Sequence, residues 1–186
     1  MLLKEVLCFL KKPVYQVDEN TDLKYRFGVF KNLLLYSLLF SFVLGVLLAL
    51  LENGFDLDLG QHAMDTFLSK YPPMFLLFVA VFLAPLIEEI FFRGPLIFFK
   101  GHRSFPYVFY LITLIFGFVH LSNFGLNTTI ILLSPLLVAP QLSVGLLLGF
   151  IRVRFGLLWS IGLHACYNLI LVGPVLAFHL IESSSK

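Results

Sequence analysis

The sequence predicts an all-α, polytopic membrane protein: a helix bundle with about five transmembrane helices, preceded by a short cytoplasmic N-terminal arm. Of its 186 residues, 59% are hydrophobic and 13% are charged, whereas soluble domains are about half apolar and about a quarter charged. The mean hydropathy of +0.94 and the 22 phenylalanines fit a lipid-facing surface. A net charge of +2 without a basic stripe argues against nucleic acid as a partner. The predicted surroundings are therefore a lipid bilayer.

Five segments are long and apolar enough to cross a membrane, which takes about 20 mainly apolar residues. Their limits follow from the positions of the charged residues. The predicted spans run from Asn32 to Leu51, from near Pro73 to about Phe99, from Phe105 to Leu121, from about Thr128 to Ile151 and from Leu157 to about Leu180. Together they predict one transmembrane domain over residues 31–182.

Two features of the fourth span predict its shape and packing. Pro135 and Pro140 each remove a helix hydrogen bond, so we expect a kink or a break there. The stretch GLLLG, from Gly145 to Gly149, is a GxxxG pattern, which allows a neighbouring helix to approach closely.

Residues 1–30 differ in character and are predicted to form the N-terminal arm. The stretch MLLKEVLCFLKK would form a short amphipathic helix, and YQVDENTDLKYR (residues 15–26) is typical of a polar linker. Two interpretations of the helix stay open. It lies on the membrane surface, or the arm is simply solvated.

Lysine and arginine alternate between the two sides of the predicted spans, which orients the chain by the positive-inside rule. Basic residues concentrate before the first span, at Lys100 and Arg103 after the second, and at Arg152 and Arg154 after the fourth. The connections on the opposite side are mainly acidic or uncharged. We therefore expect an integral membrane protein with a cytoplasmic N-terminus, located in the cell (plasma) membrane.

Three of the predicted spans carry ionisable groups deep within their apolar runs. Glu88, in PLIEEIFFRG, lies roughly 18 Å inward from Lys100 at a helical rise of about 1.5 Å per residue. By the same rise, His120 lies roughly 24 Å from Ser104, and His164 lies about 10 Å into the fifth span. Ionisable groups inside a bilayer are costly and usually mark function. Their similar depth predicts one polar site inside the bundle.

Helical periodicity assigns different roles to the two adjacent glutamates. Glu89 and Arg93 are four residues apart, in the order that favours an ion pair. Glu88 is rotated by about 100° from Glu89 and cannot share that face. Glu88 is therefore left without a partner on its own helix, which suits a general base or acid.

Three short motifs follow one another on successive spans. They are EEIFFR (Glu88 to Arg93), FGFVH (Phe116 to His120) and HACYN (His164 to Asn168), which fit EExxxR, FxxxH and HxxxN. The ordered trio, with Gly94 after the first motif, resembles the CAAX-protease and bacteriocin-processing (CPBP) family of intramembrane proteases. This family is also called the abortive-infection family and is related to the type II CAAX prenyl endopeptidases. The resemblance covers about residues 84–171.

The resemblance implies an intramembrane endopeptidase that cleaves a peptide bond in a membrane-associated protein or peptide. It assigns catalysis to four residues and structural support to two: Glu88, His120, His164 and Asn168 for the first role, and Glu89 and Arg93 for the second. In that assignment Glu88 and His120 activate a water molecule. His164 and Asn168 stabilise the oxyanion that forms when this water attacks the carbonyl.

A zinc-dependent metalloprotease is one alternative, with Glu88, His120 and His164 as ligands and one position open for water. A zinc-bound histidine normally gives its other ring nitrogen to a carboxylate or a carbonyl. The sequence offers Asn168 near His164, whereas Glu89 is already assigned to the ion pair. We therefore predict that no zinc and no other cofactor is bound.

A second alternative is not an enzyme. The same buried groups could serve a membrane scaffold, an immunity factor or a protein that handles protons. Because the three motifs themselves do not distinguish these classes, cleavage has to be measured to separate them.

Overall fold

A computed structural model describes residues 2–57, 59, 63–125 and 127–184. This part of the chain contains helices and connections but no strand, as expected for an all-α bundle. In chain order the helices are α1 (Leu2–Lys11), α2 (Leu23–Phe55), α3 (Ala63–Lys70), α4 (Pro73–Phe78), α5 (Ala84–Phe92), α6 (Phe105–Val119), α7 (Thr128–Leu137), α8 (Ala139–Phe155) and α9 (Leu157–Ser184). A π-helical turn joins α4 to α5, and short 3-10 helices continue α5 and α6: Val79–Leu83, Gly94–Phe99 and His120–Asn123.

Five helical stretches in the described residues have the length and composition of membrane spans, which confirms the predicted number. They are Leu23–Phe55, Pro73–Phe99, Phe105–Asn123, Thr128–Phe155 and Leu157–Ile181. The first is longer than predicted, because α2 begins inside the expected polar linker. The Asp22 side chain accepts hydrogen bonds from the backbone N–H groups of Lys24 and Tyr25 and so caps the helix there. The linker prediction is therefore wrong from Leu23 onward.

The fourth span is broken where the two prolines predicted it. α7 ends at Leu137, Val138 has φ −92° and ψ −2°, and α8 begins at Ala139. Pro140 lies in the first turn of α8, where a missing N–H costs little because that group has no partner within the helix.

Helix α8 is the central element of the bundle. It packs against α2, α6 and α9, and ten of its 17 residues are buried. A helix that is buried nearly all round belongs to the interior. Of the helices that carry the predicted motifs, α6 and α9 therefore pack directly against this central helix.

The GxxxG pattern on α8 is confirmed as a close-packing surface. A Cβ atom at Gly145 would lie 3.1 Å from a ring carbon of Phe116 and 3.2 Å from the Cγ2 methyl of Thr113, both on α6. A Cβ atom at Gly149 would overlap the ring of Phe109, again on α6. The two glycines therefore allow α6, which leads to the FxxxH motif, to lie directly against α8.

We expect Gly149→Ala to destabilise the protein by about 1–3 kcal/mol, the usual cost of overpacking a close-packed interior. Phe109 is only 1% exposed and has little room to move. Gly45→Ala is the matched control, because a Cβ there has no neighbour within 4 Å. Thermal unfolding in detergent micelles measures both variants. Equal melting temperatures for the two would contradict the packing described for α6 and α8.

The N-terminal arm is packed against the bundle. α1 forms as predicted, and its Val6 is 2% exposed within the main hydrophobic cluster, which includes Leu148 and Phe150 of α8. Leu3 and Leu7 remain exposed on the other face of α1. The freely solvated alternative is therefore wrong, since one apolar face of α1 is covered by α8.

Candidate active site

The predicted ion pair on α5 is present and buried. Arg93 Nη1 lies 3.0 Å from Glu89 Oε1, and the two side chains are 1% and 0% exposed. Arg93 Nη2 also donates to the backbone carbonyl of Gly145 at 3.3 Å. The guanidinium thus links α5 to the glycine-lined face of α8.

The Glu89 carboxylate has two further partners, both on α9. His164 Nδ1 donates to Glu89 Oε1 at 3.0 Å, and the Ser160 hydroxyl donates to Glu89 Oε2. Ser160 also donates to the carbonyl of Leu148 on α8 at 3.0 Å. With Arg93, these donors satisfy a carboxylate that is fully removed from solvent, as a buried charge requires.

Glu88 faces a different way, as its rotation on the helix predicted. Its side chain is 29% exposed, and its Oε2 atom is buried without a hydrogen-bond partner in the described structure. His164 Nε2 is 3.8 Å from that oxygen, too far for a direct hydrogen bond. A buried carboxylate oxygen without a partner is unusual and indicates a position for a water molecule or a reacting group.

His120 is held in one tautomer by its own helix. Its Nδ1 is 2.8 Å from the backbone carbonyl of Phe116. Since a carbonyl can only accept, Nδ1 carries the proton, and in the neutral ring Nε2 is the hydrogen-bond acceptor. His120 can therefore accept a hydrogen bond from water through Nε2.

Asn168 binds the backbone of the π-helical turn. The N–H of Ala84 reaches back five residues to the carbonyl of Val79, and Pro85 has no N–H to offer the carbonyl of Ala80. Asn168 Nδ2 donates to that Ala80 carbonyl at 2.7 Å. One of its two amide hydrogens is thus used to stabilise the turn, and π-helical turns are frequent at functional sites.

Phe116, the first residue of the FxxxH motif, contacts three polar side chains of the site. The Arg93 guanidinium lies 3.9 Å from its ring centroid, a distance typical of a cation–π interaction. The rings of His120 and His164 are 4.9 Å and 5.9 Å away, in edge-on arrangements. The ring of Phe116 thus packs against the arginine and both histidines at once.

One cavity of about 290 Å³ brings together three of the four predicted catalytic side chains, Glu88, His120 and Asn168. Its remaining walls are mostly apolar and come from α3, α4, the π-helical turn, the start of α5, the end of α6 and the 3-10 helix that follows it. His164 does not line this cavity, but its Nε2 atom lies 3.8 Å from Oε2 of Glu88. The arrangement is a small apolar pocket with a few convergent polar groups, which is typical of a ligand or substrate site.

Comparison with known families decides the classification. The sequence model of the type II CAAX prenyl endopeptidase Rce1-like family matches residues 70–170, which is 101 of the 186 residues. The chain belongs to this family. Searches of curated proteins and of solved structures found no match.

Membership in the Rce1-like family, together with five apolar helices, makes the chain an integral, multi-pass membrane protein of a protease family. The matched region contains all six residues that the sequence singled out. It excludes the N-terminal arm and all of α2. The family assignment therefore concerns the site and its helices.

The metalloprotease alternative receives no support from the Rce1-like site. Among the residues that the structure describes, no three His, Cys, Asp or Glu side chains are grouped so that they could hold a metal ion. One argument made from the sequence was nevertheless wrong, because Glu89 binds both Arg93 and His164 Nδ1. His164 thus has the carboxylate partner that the sequence analysis denied it. The ion pair was assumed to occupy Glu89 completely, whereas one carboxylate can accept several hydrogen bonds.

Ser160 is the polar residue of the site that the sequence analysis missed. It is 0% exposed and donates to both Glu89 and Leu148. A signal was present, since Ser160, His164 and Asn168 are spaced four apart and so lie on one face of α9.

Proposed function

We propose that the protein is an intramembrane endopeptidase, which hydrolyses a peptide bond in a membrane-associated protein or peptide. The observation that carries this proposal is the buried Glu88 oxygen without a partner, in a cavity that also contains His120 and Asn168. The family is a protease family. Hydrolysis needs a base for water and donors for the developing negative charge, and this cavity offers both.

In the proposed reaction, a water molecule binds between Glu88 and the Nε2 atom of His120. Glu88 takes a proton from this water molecule while the oxygen of the water forms a bond to the carbonyl carbon of the substrate. The resulting tetrahedral intermediate collapses when the C–N bond breaks, and Glu88 returns the proton to the leaving nitrogen. His120 orients the water through the hydrogen-bond acceptor that its tautomer leaves available.

The negative oxygen of the intermediate requires hydrogen-bond donors. Asn168 donates one amide hydrogen to Ala80, which leaves its second amide hydrogen for the substrate oxygen. The Nδ1 proton of His164 is used by Glu89, so His164 donates through Nε2 only when its ring carries both protons.

Substrate trapping tests the proposed activity. Glu88→Gln keeps the size of the side chain and a hydrogen-bonding group, so this variant should bind substrate without cleaving it. Peptides that co-purify with it from native membranes are sequenced and then reconstituted in liposomes with the unchanged protein. Cleavage within the captured peptides supports the proposal, and peptides that are captured but never cleaved contradict it.

We predict that the reaction does not depend on a metal. The purified protein is expected to keep its activity after dialysis against a strong chelator and to contain no stoichiometric zinc by elemental analysis. His164→Ala should lower turnover more than substrate binding. One tightly bound zinc per chain, lost together with activity in His120→Ala, would establish the metalloprotease instead.

We also propose that the N-terminus is cytoplasmic, in the cell membrane, because the lysines and arginines concentrate on that side. Cysteines at Asn53 and His102, both exposed, are compared in a background where Cys8 and Cys166 are serine. A membrane-impermeant maleimide added to intact cells should label the cysteine at Asn53 but not the one at His102. Permeabilised cells, in which both should react, are the control. Labelling of both positions from outside would contradict the proposed orientation.

A further inference from the structure

Arg152 of α8 is a buried arginine to which the proposed mechanism gives no role. It is 7% exposed, and its Nε donates to the backbone carbonyl of Arg93 at 3.1 Å. Arg93 follows the last residue of α5, where helix carbonyls lack donors from the helix itself. The carbonyl accepts a second, longer bond from the N–H of Leu96 at 3.3 Å. Arg152 therefore holds the end of the helix that carries both glutamates.

The N-terminal arm supplies the other partner of Arg152. Arg152 Nη1 donates to the hydroxyl of Tyr15 at 3.0 Å. The Tyr15 ring is 9% exposed and packs edge-on against Phe105 at 5.6 Å, in a cluster that includes Leu96. This packing limits the movement of the ring, so its hydroxyl can help to position the guanidinium of Arg152.

A second arginine, Arg154, anchors the arm next to this contact. It donates to Glu5 of α1 at 2.8 Å and also to Asp18, and the Asp18 N–H donates to the Arg154 carbonyl at 3.0 Å. Tyr25 donates to Asp18 and accepts from Arg154. The arm is thus attached to α8 by two separate sets of contacts, of which only the one at Arg152 reaches α5.

From Arg93 the contacts continue into the site. Its guanidinium binds Glu89 at 3.0 Å, and Glu89 accepts from His164 Nδ1 at 3.0 Å. A continuous path of hydrogen bonds therefore leads from Tyr15 through Arg152, Arg93 and Glu89 to His164. It enters Arg93 at the backbone carbonyl and leaves it at the guanidinium. Tyr15 lies far outside residues 70–170, which match the family.

We propose that Tyr15 and Arg152 are positioning residues for the hydrolysis, through which the N-terminal arm sets the placement of Arg93, Glu89 and His164. This inference rests on the proposed function for its kinetic consequence only. Catalytic groups have to be held within a fraction of an ångström, and a misplacement of about 1 Å can lower the rate by about a hundredfold. Removing the Tyr15 hydroxyl leaves the guanidinium of Arg152 with its bond to the Arg93 carbonyl but without the second contact that fixes its position, and the end of α5 is then held less firmly.

Tyr15→Phe tests the proposal, with Tyr25→Phe as the matched control. Each substitution removes one hydroxyl that binds an arginine of α8, but only Tyr15 contacts Arg152. With a peptide recovered by trapping, we expect Tyr15→Phe to lower kcat by between about tenfold and about a hundredfold, with KM nearly unchanged. Tyr25→Phe should leave kcat as it is. Arg152→Lys, which keeps the charge but loses the planar set of donors, should lower kcat as Tyr15→Phe does.

A second measurement does not depend on hydrolysis. In protein labelled with ¹⁵N-histidine, the His164 signals are assigned by comparison with His164→Gln in detergent micelles. We expect Tyr15→Phe to shift the Nδ1 resonance of His164, and Tyr25→Phe to leave it in place. If the unchanged protein hydrolyses no peptide, this shift still supports the structural connection, while the proposed function fails separately. An unchanged His164 resonance in both Tyr15→Phe and Arg152→Lys, or the same shift in Tyr25→Phe, would overturn the inference.

Discussion

Glu88→Gln is expected to abolish cleavage while the bundle still assembles. Proton transfer by a positioned side chain contributes about 10²–10⁴-fold to a rate, and the amide of glutamine cannot take a proton from water. The side chain is 29% exposed, and His164 Nε2, which the described structure places 3.8 Å from it, is too far away for a direct hydrogen bond, so the substitution breaks no hydrogen bond to that group. Cleavage in liposomes and the melting temperature in detergent measure the two effects separately.

The outcome that would contradict this assignment is full activity in Glu88→Gln. Glu88→Asp provides a further check, because it keeps the carboxylate but withdraws it from the water by one methylene. We expect Glu88→Asp to retain part of the activity that Glu88→Gln loses. An equal loss in both variants with unchanged folding would show that position as well as basicity is required at Glu88.

Glu89→Gln, the same substitution one residue further along, is expected to act mainly on stability. It leaves Arg93 buried at 1% exposure without its counter-charge, and removing one partner of a buried pair typically costs about 3–5 kcal/mol. It also replaces the acceptor for His164 and Ser160. We therefore expect a low yield of folded protein and a clearly lower melting temperature, measured beside Glu88→Gln.

A double substitution separates loss of the pair from loss of the other contacts. Glu89→Gln with Arg93→Met removes both charges, and replacing a buried pair by uncharged groups is often nearly neutral. The double variant should recover part of the stability, but not all of it, since Ser160 and His164 still lose a charged acceptor. A melting temperature of Glu89→Gln equal to that of the unchanged protein would contradict the structural role of this glutamate.

Local features of the sequence were sufficient to predict the spans, the break in the fourth helix and the different directions in which the two glutamates face. The hydropathy of the sequence predicts the spans because each crossing of a bilayer requires about 20 mainly apolar residues. Pro135 and Pro140 act on their own helix through a missing N–H. Glu89 and Arg93 meet because a helix brings residues four apart onto one face. Each of these effects depends on residues that are close together in the chain.

Other features depend on which helices become neighbours, and these were missed or misjudged. The docking of Val6 depends on contacts with Leu148 and Phe150 of α8, in the second half of the chain. The binding of His164 to Glu89 spans 75 residues, and that of Asn168 to Ala80 spans 88. No periodicity within one helix reports such contacts.

The sequence by itself determined that this is a five-span helical protein, and its three motifs pointed to a family of membrane proteases. Only the tertiary structure decided that Glu89 binds Arg93, Ser160 and His164 at once, and that Glu88 faces a cavity with an oxygen left unpaired. The physical reason is that helix propensity and hydropathy are local, whereas the partners of a buried charge are chosen by packing. Here the glycines of α8 set that packing, because they allow α6 to approach closely enough to bring Phe116 against Arg93 and both histidines.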